Sequence, residues 1–263
     1  MLQLSSLRDA ISSVERAKDV SVAAYTLHGP LLQALEDAAR HGAHVAVELE
    51  AKPFGRRQSA LARENARLVN DLRSAGADAK LSPWVHAKTM SVDGTLYLDE
   101  KNWHSGDLIL RDDDGAEARA IPMDKCDALA LEAGMLARAT SPDAPIVETE
   151  SFGYGNATYS ALQSLAQTGA APRLLVSKDD LRGNARERNA LEHLAARGVR
   201  VRVCEDSAKL AVTGNRAWLG SANATYGGGK FAMSDWGLCT SDAAIVDSVR
   251  ARLESEWRSG TEL

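Results

Sequence analysis

Cysteine is scarce in this chain: Cys126, Cys204 and Cys239 are the three in 263 residues, odd in number and never in a CxxC spacing. That excludes a disulfide framework and a zinc site, and leaves reduced, structural thiols as the expectation. Long apolar runs are also missing. No segment is apolar for long enough to span a bilayer, and the opening MLQLSSLRDAISS lacks the basic run and unbroken apolar stretch of a secretory signal. A cytoplasmic protein without stable membrane insertion is therefore expected. Positive charge is not in excess either, since the formal net charge is -5. A protein that coats nucleic acid gains affinity by neutralising many phosphates, so a broadly basic surface is excluded and only a local basic cleft stays open. AKPFGRR (51–57) and LRGNARER (181–188) are the two stretches that could line one, although solvated loop charge is the plainer reading of both.

What is present is enough apolar residue, 44%, to bury a large core, in one large domain or two fused smaller ones. The first half alternates: DVSVAAYTL reads as a strand, PLLQALEDAARHG as a helix ended by Gly42, HVAVELE as a strand, residues 57–76 as a helix, and three short strands follow to TLYLDEKNW. The second half repeats that order from APIVETES through ATYSALQSLAQTG, PRLLVSK, ARERNALEHLAARG and VRVRVCED to AKLAVTG and RAWLGSAN. Amphipathic helices at roughly 124–140 and 242–258 close the halves, with SPDAP (141–145) as the joint. A shift of 121 residues superposes Lys88 on Lys209 and Asn102 on Asn223. So long a period is no solenoid. It predicts an α/β fold of two pseudo-symmetric halves, 1–143 and 144–263, with mixed sheets flanked by helices and packed about an internal twofold.

In that register HAKTMSVDG (86–94) aligns with SAKLAVTGN (207–215), and YLDEKNW (97–103) with WLGSANA (218–224). Here the chain resembles the phospholipase D superfamily, in which a repeated HxKxxxxD element is followed by GSxN. His86, Lys88 and Asp93 match the first element, and Gly220, Ser221 and Asn223 match the second in the other half. The halves have degenerated in opposite ways: Ser207 and Gly214 stand at the second histidine and aspartate, Asp99 and Glu100 at the first Gly-Ser.

The resemblance implies a phosphodiesterase that works through a phosphohistidine. A phosphodiester is anionic, so its nonbridging oxygens must be neutralised and a nucleophile offered that can leave again. His86 is the implied nucleophile, an imidazole whose ordinary pKa of about 6.5 leaves it largely neutral at pH 7. Lys88 and Lys209 with Asn102 and Asn223 form the implied phosphate clamp. Asp107 is the implied orienter of His86, with Asp235 its counterpart in the other half. Ser207, Ser221, Asp235, Trp103 and His104 are placed around the substrate. The chemistry calls for no cofactor and no metal.

Ser207 is far too weak an acid to protonate a leaving oxygen, and losing a general acid typically costs about a hundred- to ten-thousandfold. Three alternatives stay open: a leaving group that needs no proton, a stand-in acid such as His104 or His28, or a site that binds phosphate without turnover. A nucleic acid or nucleotide diester is the preferred substrate. A phospholipid hydrolase or phosphatidyl transferase and a phosphate-recognising pseudoenzyme are the other readings, and oligomeric state is open.

Other features carry plainer readings. Trp84, Trp103, Trp218 and Trp236 flank the motif strands, either to stack on a base or to pack the strand ends. GYGN (153–156) and YGGGK (226–230) lack P-loop spacing, and RDDDG (111–115) lacks the remaining ligands of a calcium loop. Glu148 and Glu150, at the end of the second half's first strand, could reach the site.

Overall fold

The computed structural model describes residues 1–53, 59–114, 122–139, 144–226 and 233–263. Residues 54–57 of the basic run 51–57, Gly115, residues 141–143 of the joint and the glycines of YGGGK thus lie outside the described residues. Two compact units make up the chain: Met1–Pro122 with Met233–Asp235, and Met123–Ala232 with Trp236–Leu263.

The first unit runs β1 (Leu2–Ser5), α1 (Leu7–Val14), β2 (Asp19–Ala24), α2 (Gly29–Arg40), β3 (His44–Glu50), α3 (Ala60–Ser74), β4 (Asp78–Ser82), β5 (Thr89–Val92), β6 (Thr95–Asp99) and β7 (Ile109–Asp112). Its sheet has the order β1-β7-β6-β5-β2-β3-β4. The second unit runs β8 (Met123–Asp124), α4 (Lys125–Leu136), β9 (Ile146–Thr149), α5 (Ala157–Gln167), β10 (Arg173–Ser177), α6 (Lys178–Leu181), α7 (Ala185–Ala195), β11 (Arg200–Cys204), β12 (Leu210–Thr213) and β13 (Arg216–Gly220). It resumes, after β14 (Ser234–Asp235), with β15 (Gly237–Thr240), α8 (Ala243–Ser259) and β16 (Thr261–Glu262). Its sheet has the order β15-β13-β12-β9-β10-β11-β16. Six strands correspond one to one, and the seventh is added at opposite edges. Pairing directions match as well, with β2, β3, β4 and β9, β10, β11 parallel and the other shared pairs antiparallel. The expected duplicated α/β fold is the one observed.

Local chemistry sets the elements. Ser59 caps α3 by accepting from Ala62 N at 3.0 Å, and Asn156 caps α5 by accepting from Tyr159 N at 2.8 Å. Alternate residues of β2 are buried, whereas every residue of β9 and β12 is, as befits strands covered on both faces. Each unit has its own apolar core, around Val22, Val47 and Leu72 in the first and Leu162, Val176 and Leu191 in the second. Helix α4, placed before the expected boundary at residue 143, packs on α5 and β15 and contributes Ala128, Leu129, Met135 and Leu136 to the second core. No described helix is long and apolar enough to cross a membrane.

This topology positions the motif residues. Lys88 immediately precedes β5, whose first residue pairs with Ala23 near the C-terminal end of β2. Lys209 immediately precedes β12, whose first residue pairs with Glu148 near the C-terminal end of β9. In both units the lysine therefore stands at the carboxyl end of a parallel strand whose other neighbour is antiparallel. In open α/β sheets ligands gather outside the carboxyl ends of the parallel strands.

Candidate active site

The alternation of extended chain puts His86 and Lys88 on one side of the segment that enters β5. Their side chains meet: Lys88 Nζ lies 3.1 Å from His86 Nε2, and His86 Nδ1 lies 2.7 Å from Asp235 Oδ1. One tautomer satisfies both contacts, with Nδ1–H donating to the carboxylate and the Nε2 lone pair accepting from the ammonium. The carboxylate is delivered by β14, since His86 N and Ala87 N donate to Ser234 O at 2.9 and 2.6 Å and Ser234 N donates to Trp84 O at 2.8 Å. Tyr25 meets the His86 ring edge-on at 5.2 Å and lies 5.8 Å below Lys88 Nζ. Lys88 is 1% and Asp235 0% exposed, so an ammonium and a carboxylate are both held out of water with an imidazole between them. Trp84, just ahead of the motif, has φ +69, a left-handed backbone that a bulky residue keeps only when its surroundings impose it.

The carboxylate in contact with His86 is thus that of Asp235, whereas Asp107, expected in that place, is engaged by other groups. Asp107 accepts from His104 N at 2.6 Å and lies 3.2 Å from Lys101 Nζ. Two neighbours act likewise, with Asp99 accepting from Trp103 N at 2.5 Å and Glu100 from Leu108 N at 3.1 Å. These carboxylates pin the loop that carries Asn102 and His104. Their oxygens lie within 4.8 Å of one another, the one group among the described residues with the spacing to hold a metal ion. Burial, then the charges of Asp107 and Glu100, hold the Asp99 carboxyl well above the usual carboxylate range. The aspartate of the motif, Asp93, sits at the far end of β5, where it accepts from Lys18 N at 3.1 Å and Asp19 N at 2.8 Å. It ties the turn after β5 to the start of β2; Gly214, at the matching place in the second unit, shares its left-handed backbone (φ +50 against +47) without a side chain to make that tie.

In the second unit Lys209, 1% exposed, has Glu150 Oε2 at 2.9 Å and donates to Ser207 O at 2.8 Å. Asn223 Nδ2 donates to the same Glu150 oxygen at 3.2 Å. The two groups expected to grip a phosphate thus hold an internal carboxylate. Burial, followed by the charge of Glu150, pushes the nearby Asp180 carboxyl up to about 6, against the pull of Lys209.

Of the remaining expected contacts, Trp103 lies in the first unit's core with φ +62, and Trp218 and Trp236 are fully buried. Ser221 is buried, its hydroxyl accepting from Trp236 N at 3.0 Å and its N–H donating to Trp236 O at 3.0 Å. These residues are thus engaged in packing and internal hydrogen bonds. Exposed His104 stacks on His28 at 5.4 Å, and burial together with the charge of His104 lowers the His28 pKa.

Sequence reasoning missed Tyr25, Glu50 and Asn65. Asn65 donates to Tyr25 O at 2.8 Å and Glu50 O at 2.9 Å, tying the exits of β2 and β3 together. Burial raises the Glu50 carboxyl, which accepts from Lys52 N at 2.6 Å. Their signal was positional: each polar residue of this trio follows a strand or faces its exit.

Neither a protein-family model nor a curated protein sequence matches this chain. Solved structures do. Polyphosphate kinase from Porphyromonas gingivalis superposes with a TM-score of 0.65 at 14% identity, over 98% of this chain and 47% of that one. Phosphatidylserine synthase of Haemophilus influenzae Rd KW20 gives 0.67 at 9% identity, over 100% and 87%. Nuc, a phospholipase D family member from Salmonella typhimurium, gives 0.43 at 15% identity over 51% and 88%. The chain spans about half the length of the kinase. The superpositions on the kinase and the synthase show a shared fold, and identities this low leave the reaction to be argued from the site.

Proposed function

From its phospholipase D-like fold and the contacts of His86, we propose that the chain is a phosphodiesterase that forms a phosphohistidine, acting on nucleic acid or nucleotide diesters. The observation that carries this is the imidazole held between Asp235 and Lys88 at 2.7 and 3.1 Å. Nε2 is the atom left with a lone pair. It attacks phosphorus, the N–P bond forms, and the P–O bond to the leaving alcohol breaks. Water then attacks phosphorus, the N–P bond breaks, and the imidazole is returned. Asp235 stays ionised and stabilises the positive charge that the ring carries while phosphorylated. Lys88 exchanges the ring nitrogen for a nonbridging oxygen and, with Asn102, neutralises the developing charge. By the same resemblance Lys209 and Asn223 are proposed to hold a phosphate in the second unit, exchanging Glu150 for it.

The leaving oxygen needs a proton that Ser207 does not supply, and the stacked pair of His28 and His104 is the proposed source. A lowered pKa makes protonated His28 the stronger acid, so turnover of diesters with alkoxide leaving groups falls as pH rises through a value below the usual histidine range. Replacing either histidine by alanine is expected to slow such diesters about a hundredfold or more while sparing aryl diesters, which need no proton. The whole proposal is tested by incubating the protein with an aryl phosphodiester and a labelled single strand. Turnover that disappears in His86→Ala supports it, and equal rates for the two proteins refute it. The pairing of Lys209 with Glu150 favours a second reading, a phosphate-recognising protein without turnover. Binding of a diester by wild type with no product over hours would establish that reading instead.

A further inference from the structure

The second unit also holds a cavity of about 350 Å³ lined by Phe152, Tyr154, Asn184, Arg186, Glu187 and Tyr226. Two segments lead to it from the Lys209 contacts. Glu150 is two residues before Phe152, and Asn223 is three before Tyr226. The segments are bridged at Phe152 and Ala224, with Gly153 N donating to Ala224 O at 3.0 Å and Asn156 Nδ2 to the same oxygen at 2.7 Å. At roughly 3.6 Å per residue at most, Phe152 is within about 7 Å of Glu150 and Tyr226 within about 11 Å of Asn223. The cavity thus lies a few residues of chain from both partners of the Lys209 contacts.

The walls are fixed and aromatic. Tyr154 donates its hydroxyl proton to Asn189 O on α7 at 2.9 Å, and its ring leans on Tyr159 at 5.3 Å and His193 at 5.8 Å. Tyr159 and His193 are hydrogen-bonded to each other. Glu187 accepts from Phe152 N at 2.6 Å and Asn184 Nδ2 at 2.8 Å, so α7 and the strand exit move together. Tyr226 is 67% exposed, the most exposed aromatic side chain among the described residues, and lies against Gly155, where an added Cβ would meet its ring at 3.4 Å. One exposed ring is ordinary. This one borders a cavity that also holds a braced tyrosine and the exposed guanidinium of Arg186, the pairing of flat apolar faces with a cation on which bases stack. The volume is at the small end of ligand pockets, room for one ring system and not for paired acyl chains.

We propose that this cavity is a nucleobase subsite, in which one base stacks on Tyr226 with Arg186 at its edge or its phosphate. It deepens the function proposed above, and rests on that reading for the diester while standing on its own observations for the base. The test measures binding of the full chain to a labelled single strand of ten thymidines, with an abasic strand of the same length, inorganic phosphate and anionic vesicles as comparators. The base-containing strand is expected to bind at least tenfold more tightly than the abasic one. Tyr226→Ala is expected to weaken it by roughly 5- to 150-fold without affecting the abasic strand, and Tyr226→Phe to restore it. The proposal is overturned by equal binding of the two strands, by no binding of either, by vesicles binding in their place, or by a Tyr226→Ala protein that binds as wild type does. Turnover of a diester without a base, lost in His86→Ala, separates the two claims. If it holds while base dependence fails, only the subsite is wrong; if it fails while base dependence holds, only the chemistry is.

Discussion

At the scale of residues, the proposed chemistry turns on the Asp235 carboxylate 2.7 Å from His86 Nδ1, opposite the nitrogen proposed to react. Asp235 fixes the tautomer of His86, so Asp235→Asn should lower kcat by about a hundred- to ten-thousandfold with little change in KM. Asp107→Asn should change stability more than kcat, because that carboxylate holds the turn at His104. Measuring both variants on one substrate distinguishes the two assignments. The sequence pointed to Asp107 because it shares a half with His86, and a repeat gives two equivalent carboxylates without telling which imidazole each one meets. The pairing of Val85 with Ser234 decides it, and nothing in the chain's local pattern announces a contact over that separation. His86, Lys88 and Lys209 were legible because alternation in a strand places side chains regardless of what surrounds them. Glu150 was legible only as a neighbour, since its contact depends on the side chain of Lys209 folding back.

At the scale of elements, two features yield stability predictions. Glu132 of α4 is buried, accepts from Thr158 of α5 at 2.5 Å, and has its carboxyl pushed up to about 8 by burial. In the unfolded chain it ionises near 4.5. Between those values the folded protein binds the extra proton, so this group's contribution to stability falls as pH rises from about 4.5 to about 8 and is level above. Glu132→Gln keeps an acceptor for Thr158 and removes that slope. Its melting temperature should equal that of wild type near pH 4.5 and exceed it by several degrees at pH 8, and thermal melts across the range check this. Gly220 ends β13 against the rings beneath it: a Cβ there would come 2.5 Å from Trp218 and 2.7 Å from Trp236 O. Gly220→Ala should cost about 1–3 kcal/mol in urea unfolding. The glycine and serine of the second-half motif were legible as motif positions, whereas the tight fit of Gly220 and the hydrogen bonds of Ser221 to Trp236 are not disclosed by a motif. The glycine stops Gly42 and Gly198 follow the ends of α2 and α7 with positive φ, and they were legible because such signals act within a turn of chain.

At the scale of the whole molecule, the chain is one strand order built twice, each copy with its own core. The duplication was readable because both copies keep the spacing between lysine and asparagine. The position of α4 was not, since an amphipathic helix states that it will bury a face and not which sheet will cover it. The account of function depends on His86 becoming covalently phosphorylated. The most direct measurement is rapid quenching of wild type during turnover of a radiolabelled diester, followed by mapping of the label. Label on the peptide that contains His86, stable in base, lost in acid and absent from His86→Ala, is the expected result; turnover without such an adduct would contradict it.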